Sequence, residues 1–106
     1  MPTPPAYEVV IEDEQWAQIE ALPHASQQER TVAFLMKYVS QTPTKRLSNG
    51  DLKELQGGFA GYWQYDIDRK YRLIYRVDEA RKKVLVEYVG THPAWARGGG
   101  TRRIRS

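Results

Sequence analysis

The sequence contains no cysteine in its 106 residues, and this absence excludes several chemistries. Disulfide bonds, thiolate nucleophiles and zinc sites of Cys/His spacing all need a side chain that the chain lacks. Long apolar runs are missing as well, because no stretch approaches the roughly 18 apolar residues of a membrane span. The first residues are rich in proline and hold no basic side chain before an apolar run, so we expect no secretory signal and a cytoplasmic location.

Charge is distributed unevenly along the chain. Residues 1–44 carry two basic and six acidic side chains, a net charge of −4, whereas residues 45–106 carry fourteen basic and seven acidic ones, a net charge of +7. The length suits one compact domain with a modest core and a shallow surface site. A domain polarised in this way is suited to contact a polyanion such as nucleic acid, although the same charges could also serve only to solvate exposed strands.

Two stretches of the first half have the spacing of amphipathic helices, and they follow a short predicted strand over residues 7–11. Asp13 is placed to cap the first helix, which Pro23 ends, and Ser26 with Glu29 has the spacing of a capping box for the second. The link between them is short, so the helices should form a hairpin. The apolar residues at helical intervals, which we expect to be buried, are Trp16, Ile19, Leu22, Val32, Leu35, Met36 and Val39.

The second half has the pattern of β-strands. Residues 59–67, 71–77 and 83–90 alternate between apolar and polar side chains and are joined by short turns, which predicts an antiparallel meander. We therefore expect one α+β domain of order β-α-α-β-β-β, with the helical hairpin packed on one face of an antiparallel sheet. Residues 1–6 are a Pro-rich lead, and we expect residues 97–106, which contain several arginines, to be a flexible basic tail.

Three segments of the second half resemble toxins of the RelE/ParE superfamily, and they occur in the family's order. Residues 61–75 read Gly-aromatic-Trp, an Ile four residues after the Trp, and then aromatic-Arg-Leu-Ile-Tyr. Residues 52–55 are similar to the family's Leu-Lys-x-Leu segment, and residues 90–92 to its Gly-x-His ending. Together these segments cover roughly residues 47–95, while the helical hairpin matches only in type and order.

The resemblance implies the toxin of a type II toxin–antitoxin system, held inactive by an antitoxin encoded alongside it. RelE-like members cleave messenger RNA, usually in the ribosomal A site, and ParE-like members inhibit DNA gyrase. We expect a metal-independent endoribonuclease that needs no cofactor. Inhibition of gyrase is the alternative, and a domain that has lost toxicity and only binds a partner is the third possibility.

Arg72 and His92 are the main candidates for catalysis. Arg72 matches the family's arginine that contacts the scissile phosphate, and His92 matches a late histidine that can act as general acid to the leaving 5′-oxygen. Strand alternation places Arg72 and Arg76 opposite Leu73, so both arginines should face away from the helices. The alternatives are an arginine paired with Glu87 and a histidine that only ends a strand.

Further candidates lie in the segment that enters the sheet. Lys53, with Lys45 and Arg46, is suited to hold RNA phosphates as point charges. Glu54 is a possible general base for the 2′-hydroxyl, but a surface salt bridge explains it equally well.

Aromatic and acidic residues complete the set of candidates. Tyr88 and Tyr62, or Trp95 near the tail, are candidates for stacking on a displaced base, although strand aromatics more often belong to the core. Alternation puts Tyr88 on the side of Val86. Several RelE-like nucleases have basic residues where this chain has Gln64, Tyr65 and Asp66, and an acidic group facing the groove would repel phosphate.

Overall fold

Two helices lie on one face of a five-stranded mixed sheet in the computed structural model, which describes residues 5–45, 47, 50–55 and 61–91. The elements are β1 (Glu8–Val10), α1 (Asp13–Glu20), α2 (Ala25–Ala33), β2 (Leu52–Glu54), β3 (Tyr62–Asp66), β4 (Tyr71–Asp78) and β5 (Lys83–Thr91). A π-helical segment, Phe34–Val39, extends α2. The predicted α+β fold is confirmed, while the basic tail and most of the Pro-rich lead lie outside the described residues.

Both helices begin earlier than predicted. Glu12, not Asp13, occupies the N-cap of α1, and His24, not Ser26, occupies that of α2. The side chain of Gln27 returns to accept a hydrogen bond from the backbone N–H of His24, at 3.2 Å. The predicted three-residue spacing of the cap therefore exists, but it lies two residues upstream, because glutamine serves there as well as glutamate does.

The covered faces of the helices differ in part from the predicted ones. Ile19, Leu22, Leu35 and Val39 are buried, as expected. Trp16 and Met36 are instead 38% and 45% exposed. Trp16 is exposed because α1 turns the neighbouring Gln15 towards the sheet, where its amide donates to the carbonyl of Glu87. The two exposed side chains line a mainly apolar groove of about 520 Å³ between the helices. No helix in the described part of the chain is long and apolar enough to span a membrane.

The strand order is β1-β5-β4-β3-β2, and two of its features depart from the predicted antiparallel sheet. β1 pairs in parallel with β5, and the helical hairpin and the later strands provide the long connection that a parallel pair requires. β2 is a further strand of three residues, antiparallel to β3. It is too short for alternation to reveal it in the sequence.

A β-bulge interrupts the pairing of β4 with β5. Ile74 pairs with Tyr88 and Tyr75 with Val86, so Glu87 is the extra residue. Strict alternation would have kept Tyr88 on the side of Val86, and that prediction is wrong, because the bulge moves Tyr88 to the other face. Next to the bulge, a side chain of α1 takes up a backbone donor of β5. Oε1 of Gln18 accepts a hydrogen bond from the backbone N–H of Val89, at 2.8 Å.

The core lies between the helices and the sheet. Its fully buried members include Leu35, Leu52, Leu73 and Tyr75. The Tyr75 hydroxyl donates to the carbonyl of Pro43, and burial raises the pKa of Tyr75. This contact ties the loop after the π-helical segment to the centre of the sheet.

Candidate nucleic-acid interface

The sheet face opposite the helices, here called the distal face, carries most of the predicted site residues. The predicted alternation of β4 is confirmed, because Leu73 belongs to the core while Arg72 and Arg76 lie on the distal face. Three cross-strand rows define this face: Asp66, Arg72 and Gly90; Lys53, Gln64, Ile74 and Tyr88; and Tyr62, Arg76 and Leu85.

The guanidinium of Arg72 is held from two sides. Its Nε lies 3.0 Å from Oδ1 of Asp66, an ion pair without hydrogen-bond geometry. Its Nη1 donates to the carbonyls of Asp68, at 2.7 Å, and Tyr71, at 3.3 Å. Nη2 makes no hydrogen bond with any described residue. A phosphate could therefore accept a hydrogen bond from Nη2, but not the two parallel hydrogen bonds that a free guanidinium can donate.

Arg76 has a carboxylate partner of its own. Its Nε donates to Oε2 of Glu87 at 3.2 Å, so the alternative that pairs Glu87 with Arg72 is wrong. The Arg76 side chain is 42% exposed and that of Glu87 28%. Because exposed ion pairs are worth only about 0–1 kcal/mol, a phosphate can replace Glu87 at little cost.

Tyr88 lies across Gly90, the neighbour of Arg72 in the first row. A Cβ built on Gly90 would be 2.8 Å from the Tyr88 hydroxyl, so the glycine makes room for the phenol. The hydroxyl donates to the carbonyl of Thr91 at 2.7 Å. An aromatic ring therefore flanks the arginine, as stacking on a nucleotide base would require. Lys53, exposed at the edge of the same face, adds a positive charge.

Gln64 is a site residue that the sequence did not reveal. It is only 2% exposed, and its Nε2 donates to Oδ1 of Asp66 at 3.1 Å, which fixes the carboxylate beside Arg72. Its Oε1 is buried without a hydrogen-bond partner. The sequence showed Gln64 only as a departure from the family's basic residues, and no local pattern indicates its burial.

Asp68 organises the turn between β3 and β4. Its Oδ1 accepts the backbone N–H groups of Lys70 and Tyr71, both at 2.9 Å, while Gln27 donates to its Oδ2 at 2.6 Å. Burial disfavours the charged carboxylate, but these hydrogen bonds outweigh it, together with the charge of Arg30, and hold the pKa of Asp68 below its usual value. The aspartate at the start of a tight turn was a signal that sequence reasoning could have used.

Two predicted residues are not brought to the distal face. The register of β2 places Glu54 opposite Trp63, a core residue, and its carboxylate accepts the backbone N–H of Gly61 at 3.2 Å. The carbonyl of Lys45 accepts the hydroxyl of Tyr38, which ties its backbone to the helical layer. The remaining candidates, Arg46, His92 and Trp95, lie outside the described residues, so their roles stay predictions.

Comparison with solved structures identifies the fold. A YoeB/ParE toxin from Agrobacterium tumefaciens is 26% identical over 81% of this chain and 99% of its own, with a TM-score of 0.67. An archaeal RelE–RelB complex from Pyrococcus horikoshii is 21% identical over 84% and 98%, with a TM-score of 0.67. The RelBE2 toxin–antitoxin complex from Mycobacterium tuberculosis is 23% identical over 82% and 99%, with a TM-score of 0.63.

The sequence by itself has no such match, because no family model and no curated protein matches it. The structural matches cover nearly the whole of each solved chain, and they agree with the resemblance seen in residues 52–55, 61–75 and 90–92. The chain therefore has the toxin fold of the RelE/ParE superfamily.

Proposed function

We propose that the protein is the toxin of a type II toxin–antitoxin system and that it cleaves messenger RNA on the ribosome, in the cytoplasm, without a metal ion or other cofactor. The observation that carries the proposal is the grouping on the distal face of Arg72, Arg76, Lys53 and Tyr88. Three cations and an aromatic ring on one sheet face suit a single-stranded polyanion with exposed bases.

The reaction that fits these residues is attack of the 2′-oxygen on the adjacent phosphorus. The new P–O2′ bond forms as the P–O5′ bond breaks and the 2′-hydroxyl proton passes to solvent water, which leaves a 2′,3′-cyclic phosphate and a 5′-hydroxyl. We assign Arg72, through Nη2, to the charge that develops on the phosphate oxygens. We assign His92, which follows the last residue of β5 in the sequence, to protonation of the leaving 5′-oxygen. Glu54 is left out, because it lies on the other face of the sheet.

Asp66 favours a second candidate function, the inhibition of DNA gyrase by binding. A carboxylate 3.0 Å from Arg72 opposes the approach of phosphate, whereas a protein partner can use the pair as a hydrogen-bonding surface. Both candidates need the distal face, but only the nuclease needs an acid at His92.

The deciding experiment is induced expression followed by mapping of messenger RNA 5′ ends on translating ribosomes. We expect codon-phased cuts with 5′-hydroxyl ends, and a fall of about 100-fold or more in Arg72→Ala and in His92→Ala. Arg81→Ala is the matched control, because Arg81 is an exposed arginine of the β4–β5 turn beside Asp78. Intact messenger RNA together with a loss of DNA supercoiling would refute the nuclease and support the gyrase binder.

We further propose that the antitoxin covers the groove lined by Trp16 and Met36. Apolar side chains of this size are seldom left exposed together, and the charged residues in the lining, Glu20, Glu29 and Lys37, leave the groove with a net negative charge. A helix with an apolar stripe and flanking basic residues would complement such a groove. Trp16→Ala should weaken antitoxin binding at least tenfold, measured by calorimetry with the purified antitoxin, while messenger RNA cleavage by the free toxin stays unchanged. Unchanged affinity would refute this assignment.

A further inference from the structure

We infer that Gln27, in the helical layer, is a positioning residue for Arg72 on the distal face, and that it acts through the turn residue Asp68. This inference rests on the proposed role of Arg72 in RNA cleavage. Gln27 is 41 residues away from Asp68 in the sequence, and no feature of the family resemblance includes it.

Asp68 joins three elements through three different oxygen atoms. Its Oδ2 accepts the amide of Gln27 from α2, at 2.6 Å. Its Oδ1 accepts two backbone N–H groups that close the turn, and its carbonyl accepts Nη1 of Arg72, at 2.7 Å. A displacement of this one residue would therefore move the guanidinium that we assign to the phosphate.

The turn is tied to α2 at a second point. Nη1 of Arg30 donates to the carbonyl of Ile67 at 2.6 Å. Gln27 and Arg30 are three residues apart and share one side of the helix, so they hold adjacent residues of the turn. The carbonyl that orients Arg72 is thereby fixed relative to the helical layer, not only to its own hairpin.

Gln27 has two separable roles. Its Oε1 accepts the N–H of His24 and caps α2, whereas its Nε2 donates to Asp68. The two hydrogen bonds to Oδ1 of Asp68 already close the turn. The bond from Gln27 to Oδ2 is therefore not needed to form the turn, and it serves to fix the position of Asp68 relative to α2. Replacing the donor alone tests the positioning role without removing the cap.

Gln27→Glu is that replacement. It keeps an acceptor for His24 and sets a second carboxylate against Asp68. Two carboxylates at this distance cannot both ionise at low cost, so they share a proton when the pH falls. The charged group that acts on the Asp68 carboxylate is Arg30 from α2, which favours ionisation and moves the proton sharing to lower pH. Lys70 from the turn reaches the carboxylate through its backbone N–H, and Arg72 from β4 donates to the carbonyl of Asp68.

The test is the kcat of RNA cleavage by the full chain between pH 5 and 8, expressed as the ratio of variant to wild type. We expect Gln27→Glu to lower kcat roughly tenfold at pH 8, with little change in KM, and the ratio to recover as the pH falls. Gln28→Glu is the matched control. Among the described residues its amide donates only to the carbonyls of Glu20 and Leu22, at 3.2 and 3.0 Å, so its ratio should not vary with pH.

A rescue variant guards against simple loss of folding. In Gln27→Glu/Asp68→Asn the new amide donates to the new carboxylate, so the hydrogen bond returns with its direction reversed, and kcat at pH 8 should return to within about threefold of wild type. A pH-independent ratio without rescue, or an equal response in Gln28→Glu, would overturn the inference.

Nuclear magnetic resonance separates this inference from the proposed function. The Nε–H signal of Arg72, assigned with Arg72→Lys, should shift in Gln27→Glu, stay in place in Gln28→Glu and return in the double variant. This readout needs no nuclease activity. If the protein does not cleave RNA but the signal responds in this way, the proposed function fails and the positioning role stands. An Arg72 signal that does not move overturns the positioning role alone.

Discussion

The substitution Asp66→Asn should lower the stability of the protein and raise its affinity for RNA. The substitution removes the carboxylate 3.0 Å from Nε of Arg72 and keeps an acceptor for the amide of Gln64. Arg72 keeps its bonds to the carbonyls of Asp68 and Tyr71. Loss of the partly exposed ion pair should therefore lower the free energy of unfolding by only about 1–2 kcal/mol.

The effect on RNA has the opposite sign. A phosphate bound to Nη2 of Arg72 would lie about 7 Å from the Asp66 carboxylate, from the 3.0 Å between Asp66 and Nε, the width of the guanidinium and one hydrogen-bond length. Two unit charges at that distance repel by about 0.6 kcal/mol in water and about 2.4 kcal/mol at an effective dielectric constant of 20. The Asp66 side chain is 27% exposed, so an intermediate value of about 1–1.4 kcal/mol applies. Affinity for RNA should then rise roughly five- to tenfold.

Fluorescence anisotropy with a labelled 2′-O-methyl RNA oligonucleotide, which cannot be cleaved, measures the affinity, and urea unfolding measures the stability. Glu87→Gln is the control, because it breaks the more exposed pair with Arg76 and should change RNA affinity about twofold or less. Weaker RNA binding by Asp66→Asn, or equal gains in both variants, would refute the view that Asp66 restrains Arg72.

Three further predictions concern other parts of the site. Gly90→Ala should displace the phenol of Tyr88, which lies 2.8 Å from the new Cβ position, and lower RNA cleavage without a loss of salt-dependent binding; unchanged cleavage would exclude Tyr88 from the site. Lys53→Ala should reduce the slope of log K against log salt by about one unit, whereas Lys45→Ala should not, as measured by anisotropy at several salt concentrations. The lowered pKa of Asp68 means that its contribution to stability is complete above about pH 4 and is lost as the pH falls through the lowered pKa, so urea unfolding of Asp68→Asn should show a flatter profile below pH 4 than wild type.

Local periodicity was enough to predict the faces of β4, but not the partners of its arginines. Leu73 and Arg72 alternate as expected because a regular strand has a period of two. The pairing of Arg72 with Asp66, rather than with Glu87, depends on the register between strands, which the sequence of one strand does not contain.

Long-range contacts explain the rest of what the sequence could not show. The bulge at Glu87 leaves no local signal, so alternation groups Tyr88 with Val86 although the two side chains lie on opposite faces. The bond from Gln27 to Asp68 joins residues 41 positions apart, and only the packing of the helix on the sheet creates it. Exposure of Trp16 follows from the rotation of α1 about its axis, which a stripe of apolar residues defines only to within one neighbouring position.

The bulge in β5 also has a consequence for how this surface can diversify. Val84 and Val86 precede it and stay in the core, whereas every later side chain of the strand has its orientation inverted by one additional residue. Deletion of Glu87 would join Val86 directly to Tyr88 and leave the partner of each residue in β4 unchanged, so Tyr88 would stay on the distal face and Val89 in the core. A single-codon deletion at this point can therefore remove the carboxylate partner of Arg76 while the ring beside Arg72 and the packing beneath the helices persist.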